Sequence, residues 1–226
     1  MANRYVYHSR ISDAKFRRIL RLFALDLNAV QIAAITRLSR VSINRHLTAL
    51  RQRMAWLCEQ AAPMSGEIEV DESYFGARRA KGKRGRGAFG KTAVFGIYKR
   101  NGQVHAEIVP DCRKATLQAI IRARVGANSV IYSDRWGGYH GLVDMGYRRH
   151  LTVAHGRGEW ARDQAHINGI EGFWGYAKSR LSKFRGMSKR TFYLHLKECE
   201  FRFNHRHDEV YEILLESCRK KPIKLS

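Results

Sequence analysis

Three carboxylate side chains lie in segments where they could bind divalent cations. Asp71 falls within an alternating apolar segment, Asp134 follows the apolar run 130–133, and Glu171 lies in a segment with helical periodicity. Mg²⁺ prefers oxygen ligands, and phosphodiester chemistry can use two metal ions about 3.5–4 Å apart, which activate the attacking oxygen and stabilise the leaving oxygen. The three acids therefore predict a metal-dependent phosphodiester site.

Each acid also has an ordinary structural interpretation. Asp71 could cap a turn, Asp134 could cap a helix, and Glu171 could pair with Lys178 on a solvated helix face. Against this, a charge inside a core strand is costly unless it is paired or metal-bound, and ligand sites in open α/β sheets gather at the C-terminal ends of strands. Because Glu171 and Lys178 are two helical turns apart, they share one side of the predicted helix.

The charge of the chain indicates a polyanionic binding partner. Its 226 residues contain 42 Lys+Arg against 20 Asp+Glu, a net charge of +22. Nucleic acid is the commonest partner of so basic a chain, whereas no apolar run approaches the length that spans a membrane. The four widely separated cysteines form no CxxC pair, and the first residues lack the apolar stretch of a secretory signal, so we expect a cytoplasmic, nucleoid-associated protein.

A basic segment follows the first acid. Residues 77–100 hold nine Lys+Arg and no acid. The part rich in glycine, 77–90, predicts a flexible loop that binds phosphates beside Asp71, although it could also be a merely solvated connection. The candidate DNA-binding residues of this loop are Arg78, Arg79, Lys81, Lys83 and Arg84. His166, ahead of the third acid, could position water or phosphate, or only pack.

The first 60 residues are predicted to form a helical DNA-binding module. Apolar residues recur at helical spacing between 16 and 27, and further helices are expected at 29–36 and 41–54, the last capped by Ser42. Two helices joined by a tight break are typical of a helix-turn-helix, with Asn44, Arg45 and Arg51 placed to contact phosphates or base edges. A helical cap that only packs is the alternative. A linker at 61–66 ends the module.

Beyond the linker the pattern changes to an α/β domain. Strands are predicted at 67–74, 92–98, 104–109, 129–132 and 150–153. Helices are predicted at 116–125, 141–146, 165–185 and 188–205. This order favours a mixed sheet flanked by helices. We expect the domain to span 67–210 and to be followed by a C-terminal tail at 211–226.

Four sequence runs resemble a known family. The runs VDESYFG (70–76), YSDRWGGY (132–139), HINGIEGFWGYAK (166–178) and FRFNHR (201–206) are similar to those of bacterial insertion-sequence DDE transposases. More narrowly, they resemble the subgroup with an RNase H-like catalytic domain and a His-x-Asn-x-x-Glu signature. The resemblance covers about residues 66–206.

The resemblance implies roles for these residues. Asp71, Asp134 and Glu171 would be the catalytic acids that bind two Mg²⁺ ions, with Mn²⁺ as a plausible substitute, and Lys178 would contact the transposon end. Some members of the subgroup use Asn as the third ligand, so Asn168 would be an accessory ligand or positioning residue. Many relatives begin with a zinc ribbon, which this chain lacks, so end recognition would fall on the helical module.

The combined prediction is a DNA transposase. It would bind terminal inverted repeats, hydrolyse a phosphodiester to free a 3′-OH, and join that hydroxyl to target DNA. Because two ends must be cut together, we expect a homodimer or higher oligomer in the reaction, and no membrane partner. A structure-specific RNase H-like nuclease or resolvase is one alternative, and a non-catalytic DNA-binding regulator is another.

Overall fold

A computed structural model describes residues 3–76, 90–134, 139, 141–152, 167–184 and 187–225. The chain divides into two compact units, one formed by Met1–Gln60 with His205–Ser226 and the other by Ala61–Asn204. The helices of the described part are α1 (Asp13–Ala24), α2 (Ala29–Thr36), α3 (Arg40–Glu59), α4 (Lys114–Arg124), α5 (Asn168–Ser182), α6 (Lys189–Asn204) and α7 (Val210–Lys220). The strands are β1 (Glu67–Phe75), β2 (Thr92–Lys99), β3 (Val104–Val109), β4 (Val130–Ser133) and β5 (Arg149–Thr152).

Local capping defines the helices at the start of the first unit. The Asn28 side chain accepts hydrogen bonds from the first turn of α2, and Gln31 bonds back to the Asn28 backbone, which completes a capping box. A three-residue turn follows, in which Arg37 takes the left-handed conformation at φ 55°. Ser39, not Ser42 as expected, caps α3, and the helix begins at Arg40, one residue before the expected start.

The expected C-terminal tail is instead a helix of the first unit. Leu214 and Cys218 of α7 are fully buried, and Arg53 of α3 donates hydrogen bonds to the carbonyl oxygens of Ser217 and Lys221. These carbonyls lie at the end of α7, where helical partners are missing, so the guanidinium satisfies them. The segment 205–226 therefore belongs with the N-terminal helices rather than with the α/β domain or a tail.

The second unit contains a five-stranded mixed sheet with the order β3-β2-β1-β4-β5. The pairs β1–β2 and β2–β3 are antiparallel, whereas β1–β4 and β4–β5 are parallel. Helix α4 makes the crossover that leads into the parallel part. The predicted mixed sheet with flanking helices is confirmed, and the short expected helix at 141–146 is a 3₁₀ turn at Val143–Met145.

Apolar cores lie on both faces of this sheet. On one face α5 and α6 pack through side chains such as Ile170, Phe173 and Leu196. On the other face α4 and the segment around Tyr139 and Leu142 cover the sheet. A sheet buried on both sides holds its strand ends rigidly, which is what a site built on them requires. None of the helices in the described part of the chain is both long and apolar enough to cross a bilayer.

Candidate active site

Asp71 and Asp134 lie on neighbouring strands in the middle of the sheet. The last paired position between the parallel strands β1 and β4 joins Glu69 to Tyr132, and each acid comes two residues later on its own strand. Neighbouring strands are about 4.8 Å apart, so the two acids lie at matching positions along adjacent strands. Asp71 in the middle of β1 and Asp134 directly after β4 are thus two of the three predicted acids on neighbouring strands.

Helix α5 carries the third acid. Glu171 lies in its first turn and is exposed. Trp174, one turn later on the same side, donates a hydrogen bond from Nε1 to Oδ2 of Asp71 at 3.0 Å. Trp174 lies on the buried face of α5, and nothing in the sequence indicated its bond to Asp71. The indole therefore links the helix of Glu171 directly to Asp71.

The pKa of Asp71 depends in part on the charges of the other two predicted acids. Its pKa is raised to about 6, mainly because burial disfavours the charged form, and the charges of Asp134 and Glu171 raise it further. The Trp174 hydrogen bond acts in the opposite direction, because it stabilises the ionised carboxylate. A carboxylate with a raised pKa beside two other acids is favourable for a bound cation, which would reverse this repulsion.

A fourth acid, Glu72, was missed by the sequence interpretation. Burial raises its pKa to about 7, and the charges of Asp71 and Asp134 add to that increase. The Tyr139 hydroxyl donates a hydrogen bond to Glu72 and partly offsets the rise. The available signal was Glu72 itself, which occupies an apolar position in the alternating pattern of β1. Because successive strand residues face opposite sides, Glu72 belongs to the Tyr139 face.

Glu69 holds the beginning of α5 on the sheet. The residue is only 1% exposed, and its Oε2 accepts the backbone N–H of Ile170 at 3.0 Å. No side chain at the start of α5 caps the helix, so this carboxylate from β1 satisfies one of its first-turn donors. Oε1 of Glu69 accepts from Nε of Arg100 at 3.0 Å, and the guanidinium stacks on the Tyr132 ring. The buried charge is therefore paired.

Close approach of α5 to the sheet depends on two glycines. A Cβ at Gly96, which lies opposite Asp71 in β2, would stand 2.5 Å from the Trp174 ring. A Cβ at Gly169 would stand 2.0 Å from the Tyr98 ring. Both distances are below van der Waals contact, and the obstructing groups are buried rings. Glycine at these positions therefore allows the helix to lie where Trp174 reaches Asp71.

The donor chemistry fits a hard divalent cation, but the described side chains are not arranged as a closed metal site. Within the described residues, no group of three or more His, Cys, Asp or Glu side chains is spaced to hold one ion. Coulomb interactions extend over several ångströms, whereas Mg²⁺ binds oxygen at about 2.1 Å, so electrostatic coupling does not require that spacing.

The remaining predicted residues of this site have different positions. Asn168 is the first residue of α5 and is exposed. Lys178 is also exposed, on the side of α5 that carries Glu171 and Trp174, with its Nζ 5.8 Å from the Phe75 ring centroid. His166 and the five loop residues lie outside the described part of the chain; the loop residues are Arg78, Arg79, Lys81, Lys83 and Arg84.

The three candidates on α3 do not share one surface. Asn44 and Arg45 are exposed near the beginning of the helix. Arg51 is only 9% exposed and its guanidinium lies 5.5 Å from the Phe23 ring centroid, so it lies away from the exposed pair, and its contact with DNA stays a prediction. Two turns separate Asn44 from Arg51, but packing of α1 against this part of α3 covers the second position.

Comparison with known proteins gives consistent matches. A family model described as the ISXO2-like transposase domain matches residues 63–204. An uncharacterized transposase-like protein of Haemophilus influenzae is 40% identical over 102 residues, which cover 45% of this chain and 81% of that protein. An uncharacterized protein in the transposable element ISH50 of Halobacterium salinarum is 24% identical over 230 residues, covering 93% of this chain and 77% of that protein.

Comparison with solved structures gives a match as well. The crystal structure of the catalytic core domain of BIV integrase has a TM-score of 0.40 at 20% identity. The match covers 70% of this chain and 99% of that one.

Proposed function

Because the chain belongs to the ISXO2-like transposase domain family, we propose that it is the DNA transposase of an insertion sequence. It binds the terminal inverted repeats and hydrolyses a phosphodiester at each end. The freed 3′-OH then attacks a phosphodiester of the target DNA, and the new bond to the element forms as the target's own 3′-oxygen leaves. Its catalytic acids are Asp71, Asp134 and Glu171.

The observation that carries this proposal is the electrostatic environment of Asp71. This carboxyl has a pKa of about 6 because it is buried and lies within reach of the charges of Asp134 and Glu171. Three acids from two neighbouring strands and one helix, in a chain with a net charge of +22, form a local negative site in a basic protein. Such a combination suits cations and phosphodiesters together.

Different residues of the chain provide the metal ligands, orient Asp71 and contact the DNA. The three carboxylates offer oxygen ligands, Trp174 orients Asp71, and exposed Lys178 contacts a phosphate of the transposon end. Two Mg²⁺ or Mn²⁺ ions bound to the acids would activate the attacking oxygen and stabilise the leaving oxygen. Asn168, exposed at the start of α5, is an accessory ligand or positioning residue.

DNA recognition falls to the first unit. Helix α2, the turn at Arg37 and helix α3 form a helix-turn-helix in which α3 enters the major groove. Exposed Asn44 and Arg45 contact base edges or phosphates there. Because two ends react together, the active species is a dimer or a higher oligomer.

Incubation of the full chain with Mg²⁺ and DNA that ends in the element's repeats tests the proposal. We expect nicking and joining by the wild-type chain, and loss of both by Asp71→Asn, Asp134→Asn and Glu171→Gln. Glu212→Gln, which changes an exposed acid of α7, is the matched control and keeps both activities. Retention of full Mg²⁺-dependent cleavage by the three variants would show that the assignment of the acids is wrong.

The same assay separates the alternatives. Cleavage without joined products would identify a structure-specific nuclease or resolvase. DNA binding without any cleavage would identify a non-catalytic regulator.

A further inference from the structure

A basic groove lies beside α3 within the first unit. We propose that this groove binds the phosphate backbone of the duplex whose bases α3 reads; the proposal rests on the proposed function and extends it to residues outside the helix-turn-helix. The groove encloses about 920 Å³. Its lining residues are Tyr7, His8, Ser9, Arg10, Ile11, Ser42, Arg45, His46, Lys224 and Leu225.

The charged side chains that line the groove are basic. Three lining residues, Arg10, Arg45 and Lys224, are permanent cations, and none of the described lining residues is an acid. The nearby acid Asp13 is already bound to Arg4 at 2.6 Å, so its charge is largely compensated. An exposed cluster of one sign attracts a polyanion, and duplex DNA carries a phosphate about every 1.7 Å along its axis.

The walls of the groove are ordered by backbone and side-chain hydrogen bonds. Val6 and Ile223 form an isolated parallel β-bridge, and the amide of Tyr7 donates a hydrogen bond to the carbonyl oxygen of Ile223 at 2.9 Å. The Asn3 side chain donates to the carbonyl of Ile11 at 2.9 Å and accepts from the amide of Val6. The cations therefore stand on segments near both ends of the chain that are joined to each other. This reduces the entropy that binding must overcome.

The position of the groove beside α3 identifies duplex DNA as the molecule that binds there. Arg45 lies both in the groove and on the exposed side of α3 next to Asn44, and Ser42 and His46 extend the contact along the same helix. An α-helix in a major groove lies between two phosphate backbones. A cationic wall that continues sideways from such a helix therefore meets one of those backbones. Contacts of this kind fix the register of the protein but do not read sequence.

Salt-dependent binding of the full chain tests the proposal. The probes are a duplex that carries the element's terminal repeat and a scrambled duplex of equal length. The double variant Arg10→Gln/Lys224→Gln is expected to bind both duplexes on the order of tenfold more weakly at low salt. It should also lower the slope of log K against log salt by about 2, because two phosphate contacts are lost.

Two further double variants are matched controls. Arg10→Lys/Lys224→Arg keeps both charges and is expected to keep the wild-type slope. Arg17→Gln/Lys220→Gln removes two exposed cations of α1 and α7 that do not line the groove, and it should also keep that slope. All exchanged side chains are exposed, and thermal unfolding verifies that each variant is folded.

The possible failures can be told apart. An unchanged slope for Arg10→Gln/Lys224→Gln, or an equal loss for Arg17→Gln/Lys220→Gln, would overturn the groove assignment. If the wild-type chain still nicked and joined repeat-ended DNA, the proposed function would survive that result. Absence of duplex binding by the wild-type chain would overturn both.

Discussion

The indole Nε1 of Trp174 lies 3.0 Å from Oδ2 of Asp71, and the amide of Ile170 lies at the same distance from Oε2 of Glu69. The two acceptors are two residues apart on β1 and the two donors are four residues apart on α5. A strand advances about 3.3 Å per residue and a helix about 1.5 Å, so both separations are roughly 6–7 Å. The matched spacing fixes the helix along the strand, and with it the position of Glu171.

Replacement of Trp174 by Phe tests the first of these contacts. The ring remains but the donor is lost, so we expect slower cleavage and a further rise in the pKa of Asp71, because the bond stabilises the ionised form. A hydrogen bond to a charged acceptor contributes about 1.5–3 kcal/mol to the stability of the folded state. The measurement is the pH dependence of the cleavage rate, whose acid limb should move to higher pH.

Trp56→Phe is the control for this change. Trp56 is partly exposed in the first unit, and its replacement should leave the acid limb in place. An acid limb that is also unchanged in Trp174→Phe would show that the indole does not tune the reacting carboxylate.

Glu69 provides the second contact, and two replacements separate its charge from its shape. Glu69→Ala leaves the guanidinium of Arg100 partly unpaired and the Ile170 amide without an acceptor, which we expect to cost about 3–5 kcal/mol of the free energy of unfolding. Glu69→Gln keeps one oxygen acceptor and should lose less. Amide hydrogen exchange at Ile170 should be faster in Glu69→Ala than in the wild-type chain.

Amides in the middle of α6 serve as the internal reference for that experiment. Uniform acceleration in both helices would indicate global destabilisation, whereas acceleration confined to the first turn of α5 would identify a local cap. Equal exchange at Ile170 in all three proteins would contradict the capping role.

The pKa of Asp71 predicts a dependence of stability on pH. A raised carboxyl pKa means that the native state holds the proton more tightly than the unfolded state does. The associated stabilisation is therefore complete below about pH 3.8 and is lost as pH rises through about 6. At pH 7.5 Asp71→Asn removes a buried charge and should increase the free energy of unfolding by about 1–3 kcal/mol.

Urea unfolding at pH 4.5 and pH 7.5 measures this difference. The gain from Asp71→Asn should be smaller at pH 4.5, and Glu212→Gln should show no gain at either pH. Addition of Mg²⁺ at pH 7.5 should stabilise the wild-type chain more than the variant, because one carboxylate ligand is missing. A gain that is independent of both pH and Mg²⁺ would contradict the electrostatic explanation.

Much of the fold could be predicted from local patterns. The strands β1, β2 and β3 were located within one residue, because alternation and the Asn101-Gly102 turn are encoded in neighbouring residues. The position of Asp134 directly after β4 followed from the apolar run that precedes it. These features depend on sequence neighbours or on topology alone.

Features that depend on distant residues could not be predicted in this way. Alternation in β1 indicated a half-buried strand, yet its Glu69 is enclosed by α5 and satisfied by Arg100 and Ile170. The burial of Arg51 likewise depends on packing against α1, and no pattern within α3 marks it. For α7, the decisive contact is made by Arg53, more than 160 residues earlier in the chain.

Gly96 tests whether the catalytic geometry depends on the close approach of α5. In Gly96→Ala the new Cβ would stand 2.5 Å from the Trp174 ring and 2.7 Å from Cδ1 of Ile170. Both groups are buried, so the helix must move away from β2. We expect a loss of about 1–3 kcal/mol in the free energy of unfolding, together with a large loss of cleavage. Urea unfolding and a cleavage assay measure the two effects.

Gly172→Ala on the exposed side of α5 is the matched control. Its Cβ would meet nothing within 4 Å, and alanine is the better helix former by about 1 kcal/mol, so this variant should be as stable as the wild-type chain or more stable. If Gly96→Ala were tolerated as well as Gly172→Ala in both assays, the position of Trp174 against Asp71 would not limit the reaction. If only Gly96→Ala lost cleavage at a temperature where both variants remain folded, the defect would be one of geometry, because the three carboxylates are unchanged.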